Sequence, residues 1–184
     1  MFINVLGADS NEVDRCVSAI TYHSYHNDSN KVVSISDPSP DTWDEYHEIS
    51  QLGLNPMSTY FELMAKRFKL MTEVVFPTLA VGGTVVCNGG HYLTSSVWEI
   101  VWDVDKTWLD QLNAIATNHT DPDLVILLKS DADKKLMQYF LRYANDNPER
   151  FVIIDTRELK WDMVQKLILS IIEQRRKDLD SNHD

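Results

Sequence analysis

Short runs rich in valine and isoleucine alternate with longer amphipathic segments along the whole chain. The apolar runs are Phe2–Leu6, Lys31–Ser36, Thr84–Cys87, Leu124–Leu128 and Phe151–Ile154. Runs of this length are typical of strands buried on both faces, and the intervals between them are long enough for crossover helices. The pattern therefore predicts an α/β fold, a three-layer sandwich in which a five-stranded parallel sheet lies between two layers of helices.

The intervening segments predict five helices. These cover about Asn11–Tyr25, Met57–Leu79, Lys106–Ala116, Ala132–Asn145 and Trp161–Arg176. The Asn55-Pro56 pair favours a turn just before the second helix. Asp131 is predicted to cap the fourth helix, because its side chain can accept hydrogen bonds from exposed backbone donors. The polar segment Lys177–Asp184 is predicted to be a frayed C-terminal tail.

Length, charge and cysteine usage limit the classes of function. A chain of 184 residues suits one domain, which we place at residues 1–176. Its net charge of -11 disfavours nucleic acid and anionic membranes as partners. Cys16 and Cys87 lie alone in apolar stretches, which is typical of core thiols in a reducing compartment. Without an apolar run of ~18 residues or a basic leader, the sequence indicates a soluble, cytoplasmic protein.

The segment Leu6–Asp14 lies between the first strand and the first helix, where nucleotide-binding folds carry a phosphate-binding loop. Such a loop reads G-x-x-x-x-G-K-[ST], because glycines let backbone N–H groups approach the phosphates, lysine neutralises them and the hydroxyl holds magnesium. Here only Gly7 fits. Val13 takes the place of the lysine, and Glu12 and Asp14 on either side would repel a triphosphate. The segment predicts the outline of a nucleotide kinase without a working donor site.

Three segments, taken in order, resemble thymidylate kinases, which are P-loop nucleoside-monophosphate kinases. Tyr60–Cys87 resembles the family's helix with a dipeptide ending in arginine, its proline-containing turn and the strand that follows. Pro122–Leu128 resembles its Pro-Asp-Leu strand, and Asn147–Asp155 resembles its Pro-Glu-Arg entry to the last strand. The resemblance covers nearly the whole chain. It implies a P-loop kinase fold, a homodimer joined by helix packing, and a deoxynucleoside monophosphate as ligand.

The departures from the family fall on residues that handle phosphate. Its Arg-Glu-Pro-Gly-Gly reads Ser-Asp-Pro-Ser-Pro at residues 36–40, and its Asp-Arg-Tyr is replaced by Asn-Gly-Gly-His-Tyr at residues 88–92. The family's arginine-bearing lid is shortened to about residues 129–147, where Lys134, Lys135 and Arg142 are the candidate residual cations. Phosphoryl transfer depends on positioning and on cations, and one well-placed arginine can supply roughly 10³–10⁵ in rate.

These joint losses predict a catalytically degenerate thymidylate kinase-like protein without ATP-dependent phosphoryl transfer. It would act as a nucleotide-binding or protein-interaction module and need no cofactor. The alternative is an active deoxynucleoside-monophosphate kinase or nucleotide-modifying transferase, which would use ATP and magnesium through an unconventional donor site at Lys134, Lys135 and Arg142. A compact, motif-poor kinase relative also fits a viral or phage genome, in which case the protein would act in the host cytoplasm.

The resemblance selects six candidate nucleotide-binding residues: Asp9, Arg67, Asn88, His91, Ser95 and Ser96. Arg67 stands where the family's helix arginine reaches the acceptor base, the alternative being an ordinary surface arginine. Asp9 stands either near the acceptor phosphate or as a cap of the first helix. Ser95 and Ser96 would lie at a helix start, as ligand contacts or as caps. His91 stands in the altered Asp-Arg-Tyr segment, where an imidazole could meet a phosphate.

Two further patterns bear on metal binding and on packing. His23 and His26 lie three apart near the end of the first helix, but no third ligand follows at a zinc spacing, so the sequence predicts no metal site. Trp98 and Trp102 fall four apart on one helical face. This spacing predicts a packed stripe inside the molecule or a contact between subunits.

Overall fold

The computed structural model describes residues 1–27, 31–39 and 55–181. Its strands form one sheet: β1 (Phe2–Gly7), β2 (Val32–Asp37), β3 (Thr84–Gly89), β4 (Leu124–Lys129) and β5 (Phe151–Asp155). The strand order is β2-β3-β1-β4-β5, and every neighbouring pair is parallel. The predicted α/β fold with a five-stranded parallel sheet is confirmed, and each strand ends a residue or two later than predicted.

Helices connect the strands and cover both faces of the sheet. They are α1 (Ser10–Asn27), α2 (Pro56–Leu70), a π-helical turn (Met71–Val75), α3 (Phe76–Ala80), α4 (Gly90–Trp102), α5 (Lys106–Ala116), α6 (Lys134–Asp146) and α7 (Trp161–Ser181). The predicted helix at Met57–Leu79 corresponds to α2, the π-helical turn and α3 in succession. No helix within the described ranges is long and apolar enough to cross a membrane.

Two predictions about helix ends are wrong. The cap of α6 is Asp133 rather than Asp131, because the Asp133 side chain accepts a hydrogen bond from the Leu136 backbone at 2.9 Å. The last helix also continues to Ser181, so Lys177–Ser181 are helical instead of forming an irregular tail. Polar side chains support this extension: Gln174 donates to Asp178 one helical turn later at 2.8 Å. Residues 182–184 lie outside the described ranges.

The core is divided between the two faces of the sheet. On one face, side chains such as Ile3, Cys16 and Ile168 join β1, α1 and α7. On the other face, Tyr92 of α4 and Phe140 of α6 pack over β1, β4 and β5. Cys16 and Cys87 are fully buried free thiols, as predicted.

A satellite cluster under α2, α4 and α5 explains the tryptophan pattern. Trp98 is 0% exposed. Its indole donates to the Pro56 carbonyl at 3.2 Å, and its ring packs 5.1 Å from Tyr60 and 4.7 Å from Trp102. The predicted packed stripe is therefore confirmed as an internal one at Trp98.

Candidate functional site

A cavity of about 430 Å³ opens at the carboxyl ends of β1, β2 and β3, the edge where ligands bind in open α/β sheets. We call it the carboxyl-end cavity. Its walls come from the strand ends, the start of α1, and side chains of α4 and α6: Gly7, Ala8, Ser10, Val13, Asp14, Ser36, Pro38, Asn88, Leu93 and Leu136. Among the described residues that line it, Asp14 alone carries a charge, and no lysine or arginine contributes.

The turn between β1 and α1 uses its own backbone donors. The Asp9 carboxylate accepts from the backbone N–H groups of Asn11 at 2.9 Å and Glu12 at 3.2 Å. The Asp9 carbonyl accepts from the Val13 N–H at 3.1 Å. A phosphate bound at this helix N-terminus would need the same donors. Asp9 therefore caps α1, which is one of its two predicted roles.

Val13, which stands where a phosphate-binding loop has its lysine, belongs to the hydrophobic core. Val13 is 4% exposed and packs with Cys16, Ile20 and strand residues on the α1 face of the sheet. A Cβ atom added at Gly7 would lie 2.9 Å from the Val13 Cγ2 atom. The contact between β1 and α1 is therefore close, because a larger residue at Gly7 would force the Val13 side chain to shift. This turn encloses an apolar side chain where a phosphate-binding loop would enclose phosphates.

Acidic neighbours of Val13 are fixed by neutral side chains. The Asn88 amide donates to the Asp14 carboxylate at 2.7 Å, which links the end of β3 to α1. The Thr156 hydroxyl donates to the Glu12 carboxylate at 3.0 Å. Asn88 thus lines the carboxyl-end cavity with its amide engaged by Asp14, and its role in binding a nucleotide stays a prediction.

Arg67 lies in a buried polar network. Its side chain is 1% exposed. Its Nε atom donates to Asp37 Oδ2 at 2.6 Å, and its Nη2 atom donates to Asp37 Oδ1 at 3.1 Å and to Thr94 Oγ1 at 3.0 Å. Its Nη1 atom donates to the Asn113 amide oxygen. The interpretation as a surface arginine is wrong, because this turn of α2 faces the inside of the molecule.

The charge of Arg67 survives its burial. Burial by itself lowers the pKa of the guanidinium, but the charge and hydrogen bonds of Asp37 raise it, and the net shift is upward. The planar fork meets two oxygens of one carboxylate, a geometry that arginine favours for buried ion pairs. A role in contacting a base remains a prediction, since the described donors of Arg67 already have protein partners.

The junction between β3 and α4 differs from the prediction. Gly89 and Gly90 have φ angles of 89° and 74°, which L side chains rarely adopt. A Cβ atom at Gly90 would also lie 2.6 Å from the Asn4 amide nitrogen. These two glycines let the helix begin immediately after the strand, so α4 starts several residues earlier than expected.

Ser95 and Ser96 consequently lie inside α4 rather than at a helix start, and that prediction is wrong. Both are 0% exposed. The Ser95 hydroxyl accepts from the Asn113 amide at 2.9 Å, and the Ser96 hydroxyl donates to the Tyr92 carbonyl at 2.8 Å. Neither lines the carboxyl-end cavity.

His91 lies apart from the carboxyl-end cavity. It lines a second cavity, of about 310 Å³, between α4, α5, α6 and the segments that precede β4 and β5. The charged residues of this cavity include Lys106 and Arg150 together with Asp110 and Asp121. Burial, followed by the positive charge of Arg67, lowers the pKa of His91 to about 4. The imidazole is therefore neutral at pH 7.

The predicted lid segment holds α6. Its inner side chains, including Met137 and Phe140, pack in the core. Lys134 and Lys135 are exposed in the first turn, directly before Leu136, which lines the carboxyl-end cavity. Arg142 is engaged elsewhere, since its Nη2 atom contacts both carboxylate oxygens of Glu99 at 2.6 and 2.7 Å.

Sequence reasoning missed the network around Arg67. Its signal is Asn113, which stands on the apolar face of α5 between Leu109 and Ala116. The Asn113 amide donates to Tyr60, Ser95 and the Leu109 carbonyl, so a polar residue at a core position marked a buried network.

Metal ligation finds no support among the described residues, where no group of three or more His, Cys, Asp or Glu is placed to hold an ion. His23 lies 3.5 Å from the Glu173 carboxylate. The His26 ring contacts the Tyr22 ring, with centroids 4.3 Å apart.

Curated relatives in sequence are thymidylate kinases, whereas no protein-family model matches the chain. That of Solidesulfovibrio magneticus is 35% identical over 79 residues, covering 43% of this chain and 38% of the relative. That of Desulfovibrio desulfuricans is 25% identical over 161 residues, or 70% of this chain and 74% of the relative. That of Chlamydia felis is 25% identical over 131 residues, which cover 58% of this chain and 63% of the relative.

The fold of this chain is similar to that of a solved thymidylate kinase structure. The crystal structure of thymidylate kinase from Ehrlichia chaffeensis superimposes with a TM-score of 0.73 at 20% identity, covering 94% of this chain and 98% of that one. The predicted resemblance to thymidylate kinases is confirmed, and the fold is that of a P-loop nucleoside-monophosphate kinase.

Proposed function

We propose that this thymidylate kinase-like protein is catalytically degenerate and serves as a nucleotide-binding or protein-interaction module without ATP-dependent phosphoryl transfer. One observation carries the proposal: the turn that would hold the donor phosphates is capped by the carboxylate of Asp9. The backbone donors that a phosphate would use therefore already have an anionic partner.

The surroundings of this turn support the same conclusion. The Val13 side chain is buried where a loop lysine would neutralise phosphate, and Asp14 contributes a negative charge to the cavity. Catalysis of phosphoryl transfer rests on cations and dipoles aimed at the transferred group. A cavity whose described lining supplies no cation lacks the means of stabilising that group.

The active alternative depends on α6. Lys134 and Lys135 directly precede Leu136 in the wall of the cavity, so a closing movement of their side chains would be the source of positive charge. Arg142 is a weaker candidate, because the contacts of its Nη2 atom with both carboxylate oxygens of Glu99 would have to be broken first. An active enzyme would therefore rest on two exposed lysines.

A coupled assay of ADP release tests the proposal, with ATP, magnesium and each deoxynucleoside monophosphate as substrates. We expect no turnover above the rate without protein. Turnover that requires the monophosphate would overturn the proposal. Its loss in Lys134→Ala/Lys135→Ala, but not in the matched surface variant Lys166→Ala/Lys177→Ala, would then establish the active alternative.

We propose also that the chain forms the homodimer implied by the family resemblance and acts in the cytoplasm, with a deoxynucleoside monophosphate or another protein as further partner. Phe61 and Phe68 support a helix-packed dimer, since they are 51% and 50% exposed on α2. Their spacing of seven residues places them on one side of the helix. Light scattering should give about twice the chain mass of 21.2 kDa, and the monomer mass alone would contradict the dimer.

A further inference from the structure

We propose that the carboxyl-end cavity binds an uncharged, hydroxyl-bearing ligand of nucleoside size and discriminates against the phosphorylated form of that ligand. This inference rests on the proposed loss of phosphoryl transfer, and it replaces the deoxynucleoside monophosphate by an uncharged nucleoside as the ligand of this cavity. It reverses the usual preference of a strand-to-helix turn for anions.

The cavity has the size and the walls of a small-molecule site. Its volume of about 430 Å³ falls within the roughly 300–1,000 Å³ typical of ligand pockets. Ala8 and Pro38, which directly follow β1 and β2, and Leu93 and Leu136 of α4 and α6 give it apolar walls. Such walls suit the faces of a sugar or a base better than they suit a phosphate, which must be solvated or paired with cations.

Neutral polar groups are available between these walls. Ser10 and Ser36 line the cavity, and both residues are exposed, so a ligand can reach their hydroxyls. Asn88 holds Asp14 through one carboxylate oxygen at 2.7 Å. A carboxylate accepts several hydrogen bonds, so Asp14 can also accept from a ligand hydroxyl. The polar groups thus match a ligand that both donates and accepts without carrying charge.

Negative charge at the same place disfavours phosphate. Asp9, Glu12 and Asp14 fall within six consecutive positions at the start of α1. Asp9 and Glu12 are held there by hydrogen bonds, from backbone N–H groups and from the Thr156 hydroxyl. A phosphate monoester brings a charge of about -1.5 to -2. With no cation among the described lining residues, its repulsion by these carboxylates is offset by no opposite charge in the lining.

Titration calorimetry with thymidine and dTMP tests the discrimination. We expect thymidine to bind and dTMP to bind at least about tenfold more weakly at low ionic strength, because like charges repel most strongly there. In Asp14→Asn, the ratio of the dTMP dissociation constant to the thymidine dissociation constant should fall by about threefold or more. The control Asp103→Asn makes the same charge change at an exposed position after α4 and should leave the ratio unchanged. Equal or tighter binding of dTMP by the natural chain would overturn the proposal.

A second pair of variants localises the ligand. Ser36 and Ser34 are both exposed and lie two residues apart on β2, so their side chains share one face of the strand. Ser36 lines the cavity and Ser34 does not. We expect Ser36→Tyr to abolish thymidine binding and Ser34→Tyr to preserve it. Absence of thymidine binding to the natural chain, or equal effects of both tyrosines, would refute this site.

The outcome is separable from that of the proposed function. ADP release in the kinase assay would overturn the proposal that the protein lacks phosphoryl transfer, whichever of thymidine and dTMP binds more tightly. If no ADP is released and dTMP binds more tightly than thymidine, the proposed absence of phosphoryl transfer is retained. Only the preference for an uncharged ligand is then overturned.

Discussion

The Asp37→Asn substitution tests whether the buried network around Arg67 holds α2 to the sheet. Arg67 is 1% exposed and the Asp37 side chain 10% exposed. Asparagine keeps the shape of Asp37 and one acceptor oxygen, but it removes the opposite charge and one of the two contacts to the guanidinium. The folded chain would then hold a charged arginine whose remaining partners, Thr94 and Asn113, are neutral.

The expected loss in the free energy of unfolding is about 3 kcal/mol. Removing one partner of a buried ion pair costs roughly 3–5 kcal/mol, because the other charge stays buried without compensation. The lower end applies here, since the asparagine oxygen and two neutral acceptors remain. Small domains have about 5–15 kcal/mol of stability in total, so the change should be plain in equilibrium unfolding.

Urea denaturation followed by fluorescence and circular dichroism measures this loss, provided that both probes give one transition. The control Glu62→Gln breaks the exposed pair with Lys66, whose atoms lie 3.1 Å apart. That change should cost less than about 0.5 kcal/mol. A loss below about 1 kcal/mol in Asp37→Asn, or one equal to the control, would show that the network does not stabilise the fold as argued.

Two other predictions follow from burial. Burial and Arg67 lower the pKa of His91 from an ordinary 6.5 to about 4. The unfolded chain therefore takes up this proton first, and stability should fall as the pH drops from 6.5 to 4. Urea denaturation at pH 7.5 and 4.5 should show a smaller fall in His91→Gln, and an equal fall would contradict the argument. Trp98→Ala should cost about 3–5 kcal/mol, against less than about 1 kcal/mol for Trp108→Ala at 55% exposure; similar losses would contradict the internal stripe.

The central strands β1, β3 and β4 were predictable because they are buried on both faces, and such strands stand out as continuous apolar runs. Leu124–Leu128 is 0% exposed throughout, and its polar flanks mark both ends. The end of the last helix was not predictable in the same way. Lys177–Ser181 carries no apolar period, and its helical state depends on continuing an already formed helix and on polar contacts such as that of Gln174 with Asp178.

The candidate site was likewise predictable only in part. The absence of the phosphate-loop residues was visible in the sequence, because Glu12, Val13 and Asp14 stand where the loop's glycine, lysine and hydroxyl residue would be. The buried contacts of Arg67 could not be predicted, because Lys66 and Lys69 lie beside it and a helix with these residues looks solvent-facing. Only the position of Asp37 at the end of β2 shows which way the arginine points. Linear spacing cannot reveal a partner thirty residues away.

Asp9 and Val13 make the first turn of α1 costly to alter. Replacing Val13 by lysine would insert an ammonium group among buried apolar side chains, and removing Asp9 would leave the first turn of α1 without its cap, at a cost of about 1 kcal/mol. Each of these substitutions would therefore weaken the fold. The turn thus tolerates little change in its own residues, whereas exposed positions in the cavity wall, such as Ser10 and Ser36, can vary without disturbing the packing of α1.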